Sequence, residues 1–382
     1  MQVSILHSLS EVSQTDWDAL GKPDYPFTRH AFLYGLEQYD CLQPFGWYPV
    51  YFLIHSGTCL IAALPAYIKT NSYGELVFDH AWADAYQRHG LDYYPKLVTA
   101  IPYTPATGER FLFHFTRVQA ADKKKYQDSL CSAAIQFCRR HHLSSWHILF
   151  EQEKTLRQIE NDAMMLRCDI QFHWQNRQYC DFEDFLSRLT SRKRKNIRKE
   201  RQSSQQRGLN IAMLEGSELS PSDWESVYSL YQRIYDRKYG TATLKSAFFK
   251  HLGKTLAPRT LVVLARENTA KIVACAMFFR SDTHLYGRIW GCDQFYQHLH
   301  FECCYYQGID YCIQQGLDYF DPGAQGEHKL SRGFLPCKTW SAHWLAEPGF
   351  ADAVADFLQR ESAHMDAYQT GLMRHSPYRS NL

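Results

Sequence analysis

The spacing of apolar residues along the chain shifts repeatedly between two and three-to-four, the mark of strands alternating with helices. In the first half, residues 47–54 and 58–68 read as two strands of a hairpin around His55-Ser-Gly57, with Pro65 pointing to an edge or a bulge. Residues 72–80 alternate loosely and extend the expected sheet, whereas three prolines and a glycine keep 93–108 irregular. A helix is expected over 123–142, with Leu130, Ala134, Phe137 and Cys138 on one side, then a strand at 146–150, a helix at 153–167 and a strand at 170–179. The second half repeats this order. A strand at 210–214 precedes a helix at 222–239, opened in capping style by Ser220-Pro-Ser-Asp223, and a second helix at 244–252. Three antiparallel strands follow at 261–266, 272–280 and 284–290. Phe301, Tyr305, Ile309 and Cys312 are spaced for a helix over 301–315 that stops at Gly316, before strands at 317–320 and 338–345 and a last helix at 350–368.

Both halves therefore read as strand, two helices, strands, helix, strand, an internal duplication of element order without repeated sequence. At 382 residues the chain is too long for one ordinary core, and the boundary is expected between 171 and 188, giving domains 1–180 and 181–382. The fold class is α/β (α+β), with mixed sheets.

Composition narrows the class. Hydrophobic residues at 45% and charged residues at 21% describe a folded, soluble chain and not a disordered one. The N-terminus lacks a basic region followed by an apolar stretch, and no run of about 18 apolar residues occurs, so neither a secretory signal nor a membrane span is expected. Twelve cysteines are scattered through apolar surroundings such as Ile272-Val-Ala-Cys-Ala-Met277, the pattern of reduced, buried thiols in a cytoplasmic protein. Aromatic residues at 15% serve either core packing or an aromatic-walled cleft.

A net charge of +2 makes the run Ser191-Arg-Lys-Arg-Lys-Asn-Ile-Arg-Lys-Glu-Arg201 a local feature. Arg192, Lys193, Arg194, Lys195, Arg198, Lys199 and Arg201 form either a solvated helix face or a docking strip for a polyanion such as tRNA, an anionic lipid surface or a nucleotide. The run has no base-reading pattern, so nucleic-acid contacts would be to phosphates.

The densest chemistry lies further on. Asp321-Pro-Gly-Ala-Gln-Gly-Glu-His-Lys329 sets an acid, an imidazole and a cation in one Gly-rich loop. Glu327 and His328 are candidate bases for an amine nucleophile, and Glu302 with His300 form a second candidate pair, although Glu302 also suits a first-turn acid. Lys329 and Arg332 are candidates to hold phosphate or carboxylate, and backbone N–H groups at 323–326 to stabilise an oxyanion. Tyr286, Arg288 and Trp290 alternate along their strand and so share one face, lining either a cleft or the core. Asp79 and His80 with Trp82, and Lys96 near Tyr94, form either the acceptor side of a cleft between the domains or a surface loop packed on its own aromatics. His298, His300, Cys303 and Cys304 include metal-ligand types, but they do not share a helix face and lack a Cys-x-x-Cys partner, so no metal is assigned.

Arg194-Lys-Asn-Ile-Arg-Lys199, His300-Phe-Glu-Cys-Cys-Tyr-Tyr-Gln-Gly-Ile-Asp310, Gly323-Ala-Gln-Gly-Glu-His-Lys-Leu-Ser-Arg-Gly-Phe334, Tyr94-Pro-Lys-Leu97 and Pro102-Tyr-Thr-Pro-Ala-Thr-Gly-Glu-Arg110 together resemble the Fem-type (FemAB-like) branch of the GNAT acyltransferase superfamily. The match is to the bacterial family of predicted N-acyltransferases of peptidoglycan biosynthesis or recognition. The resemblance implies two tandem GNAT-like domains, each a mixed, largely antiparallel sheet flanked by helices. It also implies transfer of an acyl or aminoacyl group to an amine on a small molecule or peptide, in an interdomain cleft. No tightly bound cofactor is implied. Fem-type enzymes take the group from aminoacyl-tRNA and ordinary GNAT enzymes from acyl-CoA. Here Gly291-Cys-Asp-Gln-Phe-Tyr-Gln297 replaces the Arg/Gln-x-x-Gly-x-Gly/Ala phosphate loop, which argues against acetyl-CoA without establishing tRNA. The competing expectation is a non-catalytic module that recognises tRNA or an acidic envelope precursor through the basic run.

Overall fold

The structure, a computed structural model, describes residues 2–161, 163–205, 208–237, 240–324 and 326–379. Its strands are β1 (Ser4–Leu6), β2 (Trp47–Ser56), β3 (Cys59–Lys69), β4 (Lys96–Thr99), β5 (Leu112–Phe113), β6 (Ser145–Glu151), β7 (Met165–Gln175), β8 (Asn210–Glu215), β9 (Thr260–Arg266), β10 (Ile272–Arg280), β11 (His284–Cys292), β12 (Tyr319–Asp321) and β13 (Leu335–Leu345). The chain divides into two compact units, Met1–Ile170 with Lys338–Tyr368, and Gln171–Cys337 with Gln369–Leu382.

In the first unit β1, β2, β3 and β4 pair antiparallel in that order, and β5 pairs with β3. β6 then joins β4 in parallel, Leu97 opposite Trp146, and β13 closes the order antiparallel to β6. Parallel neighbours need a crossover, supplied by the helix Lys123–Arg140. Leu130, Ala134, Phe137 and Cys138 are buried along one stripe of that helix and join Phe52 and Trp146 in the core, Phe137 meeting Phe52 edge-on at 5.6 Å. The second unit repeats the scheme. β8, β9, β10 and β11 are antiparallel, β12 lies parallel to β11 with Leu285 opposite Phe320, and β7 pairs antiparallel with β12. The crossover runs through Leu299–Phe301, a π turn Glu302–Tyr306, and Gln307–Gln315, stopping at Gly316 with φ +65°. Each unit thus carries the mixed, largely antiparallel sheet flanked by helices that the sequence implied.

Four expectations are corrected. Residues 338–368 belong to the first unit, because β13 pairs with β6, His343 opposite His147. Residues 72–79 form no strand: Ser72, Glu75 and Asp79 turn inward to a buried lysine, and a helix starts at His80. The expected helix over 153–167 ends at Arg157, because the Asn161 side chain accepts from the backbone of Ala163 and Met164 and turns the chain into β7. The alternation of Tyr286, Arg288 and Trp290 is broken by a bulge. Met277 lies opposite Ile289 but Phe278 opposite Gly287, so Arg288 is the extra residue. Tyr286 pairs with Phe279 and Trp290 with Ala276, an odd separation along β10, and the two rings therefore take opposite faces.

Candidate active site

β11 and β12 are the only parallel neighbours among the described strands of the second unit, and in such sheets ligands bind beyond the carboxyl ends of the strands. The chain leaves β12 at Asp321, passes through the glycines, and makes a short helical turn over Glu327–Arg332. Gly326 has φ +111°, and a Cβ there would stand 2.5 Å from the His328 ring. Glycine at 326 thus leaves room for the imidazole two residues on.

His328 Nε2 is 2.9 Å from the Tyr305 hydroxyl. The rings of His300 and His328 are 6.5 Å apart, His300 is 5.4 Å from Tyr305, and Trp290 is 5.2 Å from His300. Burial, aided by Arg332 and Lys329, lowers the His328 pKa. Burial and the neighbouring cations push His300 down to about 4. Both shifts favour the neutral imidazole, the form able to accept a proton. Glu327 is exposed at the rim. Lys329 is 2% exposed, and its ammonium donates to the carbonyl oxygens of Gly323 at 2.5 Å and Ala324 at 3.4 Å. Burial lowers its pKa to about 8, against the attraction of Asp321.

Arg332 does not present its fork to a ligand. Nε and Nη2 grip Glu200 at 3.1 and 2.8 Å, Nη1 donates to the His328 carbonyl at 2.8 Å, and the guanidinium lies 3.4 Å over the Phe301 ring. It is an internal brace that fixes His328 from the backbone side. Glu302 is likewise committed: Oε1 accepts from Arg201 at 3.2 Å and from Gln307 at 2.8 Å, while Arg201 also holds Asp310 at 2.7 Å. Burial raises the Glu302 pKa and Arg201 opposes this. The π turn that carries Glu302 also presents Tyr305 to His328 and Tyr306 to Glu200.

The basic run is the helix Ser191–Gln205, and the fold divides its cations. Ile197 and Ser204 are buried, with Lys193, Glu200 and Arg201 half-buried on the same stripe. Lys193 reaches the Ser331 hydroxyl at 2.8 Å, which ties the helix to the Gly-rich loop. Arg198 pairs with Glu183, and the half-buried Arg194 lies 3.5 Å from the Ser191 hydroxyl. Arg192, Lys195 and Lys199 are exposed at spacings of three and four. Three positions that the structure adds to this cluster were not legible in advance: Tyr305, Glu200 and Asp321. Only Glu200 left a signal, as the lone acid of a basic run.

In the first unit the expected trio separates. His80 is exposed, whereas Lys96 is fully buried between Glu75 at 2.8 Å and Asp79, in contact with both. Asp79 also accepts from Tyr93 at 2.6 Å and Ser72 at 2.7 Å. Burial alone would raise its pKa, but Lys96 and these donors hold it far below the usual carboxylate range. The network continues from Tyr93 to His147 at 3.1 Å and from His147 to His343 at 2.7 Å. This closed network clamps the loop before His80, and no surface of Asp79 or Lys96 is left for an acceptor.

No described helix is long and apolar enough to cross a membrane. Among curated proteins, none matches the sequence closely enough to count as a relative. Solved structures resemble the fold. FemX is similar at a TM-score of 0.52 and 8% identity, over 92% of this chain and all of that one (100%). L-PGS from Bacillus licheniformis gives 0.48 and 9% over 77% of this chain and 86% of its own. A tandem GNAT protein from the clavulanic acid biosynthesis pathway gives 0.43 and 9% over 91% and 99%. At such identities the FemX likeness speaks for the fold. The sequence decides the family: with a match over residues 8–380, spanning the Gly-rich loop and the basic helix alike, the chain belongs to the FemAB-like family of peptidoglycan biosynthesis/recognition.

Proposed function

We propose that this protein is an N-acyltransferase of cell-envelope metabolism that moves an acyl or aminoacyl group onto an amine. The observation that carries the reading is the pairing of a neutral, solvent-reachable imidazole, His328, with a buried ammonium, Lys329, on one Gly-rich loop beyond a parallel strand pair. His328, aligned by Tyr305, takes a proton from the acceptor ammonium. The amine then attacks the donor carbonyl, and the resulting oxyanion is stabilised by Lys329 and the loop N–H groups. Collapse breaks the bond to the donor's alcohol or thiol, which leaves with the proton that His328 held, and the attacking nitrogen gives up its second proton through the freed imidazole to solvent. Glu327, exposed and next to His328 in the chain, assists the base. His300 and Trp290 wall the imidazole, and Glu302 holds the π turn in position.

FemAB-like membership supports an envelope acceptor, and the Fem-type resemblance an aminoacyl-tRNA donor, with acyl-CoA as the alternative. The exposed Arg192, Lys195 and Lys199 favour a second reading, a module that binds a polyanion without catalysis. Labelled donors of both classes, offered with amine-bearing envelope precursors, separate the two. Transfer that falls at least about a hundredfold in His328→Ala supports the enzyme. Salt-sensitive polyanion binding with no transfer supports the module.

A further inference from the structure

β1 opens the strand order of the first unit, and among the described strands it pairs only with β2. Its outer edge therefore keeps backbone donors and acceptors for one more strand, and Ser4–Leu6 carries neither the charge nor the proline that often guards an edge. Ile5 lies opposite Phe52, whose ring meets Phe137 of the crossover helix Lys123–Arg140. Val3 and Ile5 therefore face that helix, half-buried at the rim of the core. The helix packs over β2, β3 and β6, which sets it back from the edge. Between it and β1 runs a groove of about 450 Å³, floored by Val3 and Ile5. On the helix side its wall is Asp128, Ser132, Gln136 and Arg140, all exposed and four residues apart. Asp128 pairs with Lys124 on the same helix, an exposed contact that leaves the carboxylate able to take a second cation. Arg140 has no ion-pair partner among the described residues.

We propose that a second copy of this chain fills the groove, its β1 pairing antiparallel with β1 across a two-fold axis. The order of the wall residues singles out that occupant. When identical edge strands join antiparallel, the axis stands perpendicular to the sheet, and the covering helices come to lie antiparallel on the same face. In such a pair the first wall residue meets the last and the second meets the third. Asp128 then faces Arg140 of the second copy, and Ser132 faces Gln136 of the second copy, each contact occurring twice. Opposite charges meet at both ends and a hydroxyl meets an amide between them, so the wall is complementary to itself. A foreign strand would need no such symmetry in the helix above it. The two grooves merge over the joined strands, where Val3 and Ile5 of both copies bury the apolar rim that each copy alone leaves open. The interface stands or falls independently of acyl transfer.

The test is sedimentation equilibrium of the untagged full chain over about 1–100 μM, alongside Asp128→Arg, Arg140→Asp and an equimolar mixture of the two variants. The wild type should dimerise. In either variant alone both ends of the wall carry one sign of charge, and across the axis like meets like. Dimerisation should then weaken at least about tenfold. In the mixture every arginine of one chain meets an aspartate of the other, and a heterodimer should form with a strength near that of the wild type. Recovery on mixing is a readout that misfolding of either variant cannot produce. A wild type that stays monomeric throughout that range leaves the groove to a foreign strand or to solvent and overturns the proposal. So does a dimer indifferent to both variants, or a mixture that associates no better than the variants do singly.

Discussion

β4 and β6 run parallel in the first unit, β11 and β12 in the second, and what lies beyond their carboxyl ends differs. In the first unit the position is filled by Arg110, 1% exposed, whose guanidinium donates to the carbonyls of Leu149 at 3.0 Å, Gly108 at 3.1 Å and Ala106 at 2.8 Å. Glu151, at the end of β6, accepts the N–H of Arg110 at 2.6 Å and of Phe111 at 3.3 Å. The Tyr25 ring leaves no space for a Cβ at Gly108. That end is sealed, and the groups named there are matched. The second unit has His328 near solvent, Lys329 on bare carbonyls and Asp321 half-satisfied. One frame, used twice, closes one end for stability and leaves the other, where the proposed chemistry would take place, with unmet groups.

The largest effect should come from breaking the seal. Arg110→Met takes the guanidinium donors from the buried carbonyls of Leu149 and Gly108 and its attraction from the buried Glu151, and should cost about 3–5 kcal/mol, read as a lower urea midpoint. A loss below about 1 kcal/mol would mean that the plug is incidental. The matching change in the open end, Lys329→Met, should behave oppositely. Transfer should fall by about a hundred- to a thousandfold with no loss of stability. Because Lys329 depresses the His328 pKa, the variant's His328 should titrate at higher pH by NMR, and the acid limb of the rate profile should move up with it.

A smaller effect concerns Lys69, fully buried over Trp47 in the first unit and pushed by burial down to about 7 from 10.5. Between those values the unfolded chain holds a proton that the folded one releases, so stability rises with pH across the window. Lys69→Met should flatten that slope in urea midpoints measured inside it. The smallest change in stability, within about 0.5 kcal/mol, is expected for the triple Arg192→Gln, Lys195→Gln, Lys199→Gln. It should nonetheless weaken polyanion binding and reduce its salt dependence. Unaltered binding would remove the outer face of the basic helix from the site.

Much of this was readable from the chain because it is local. The meander β8 to β11 followed from short apolar runs between turns, and the crossover helix from its spacing and Gly316. The Gly-rich loop stood out because glycines and three ionisable residues share one short stretch. What could not be read were partners distant in the chain. Nothing near Arg332 announces that Glu200 occupies its fork, or near Glu302 that Arg201 neutralises it. A single bulged residue, Arg288, reversed the faces of Tyr286 and Trp290, since strand alternation has no tolerance for an inserted position.

The sequence by itself determined the elements, the family and the loop that bears the imidazole and the ammonium, for these depend on neighbours within a turn or a strand. Only the tertiary structure decided which charges are spent inside the fold and which remain for a ligand. That choice depends on burial and on contacts between residues more than a hundred positions apart, as in Glu200 with Arg332, where |i−j| is 132.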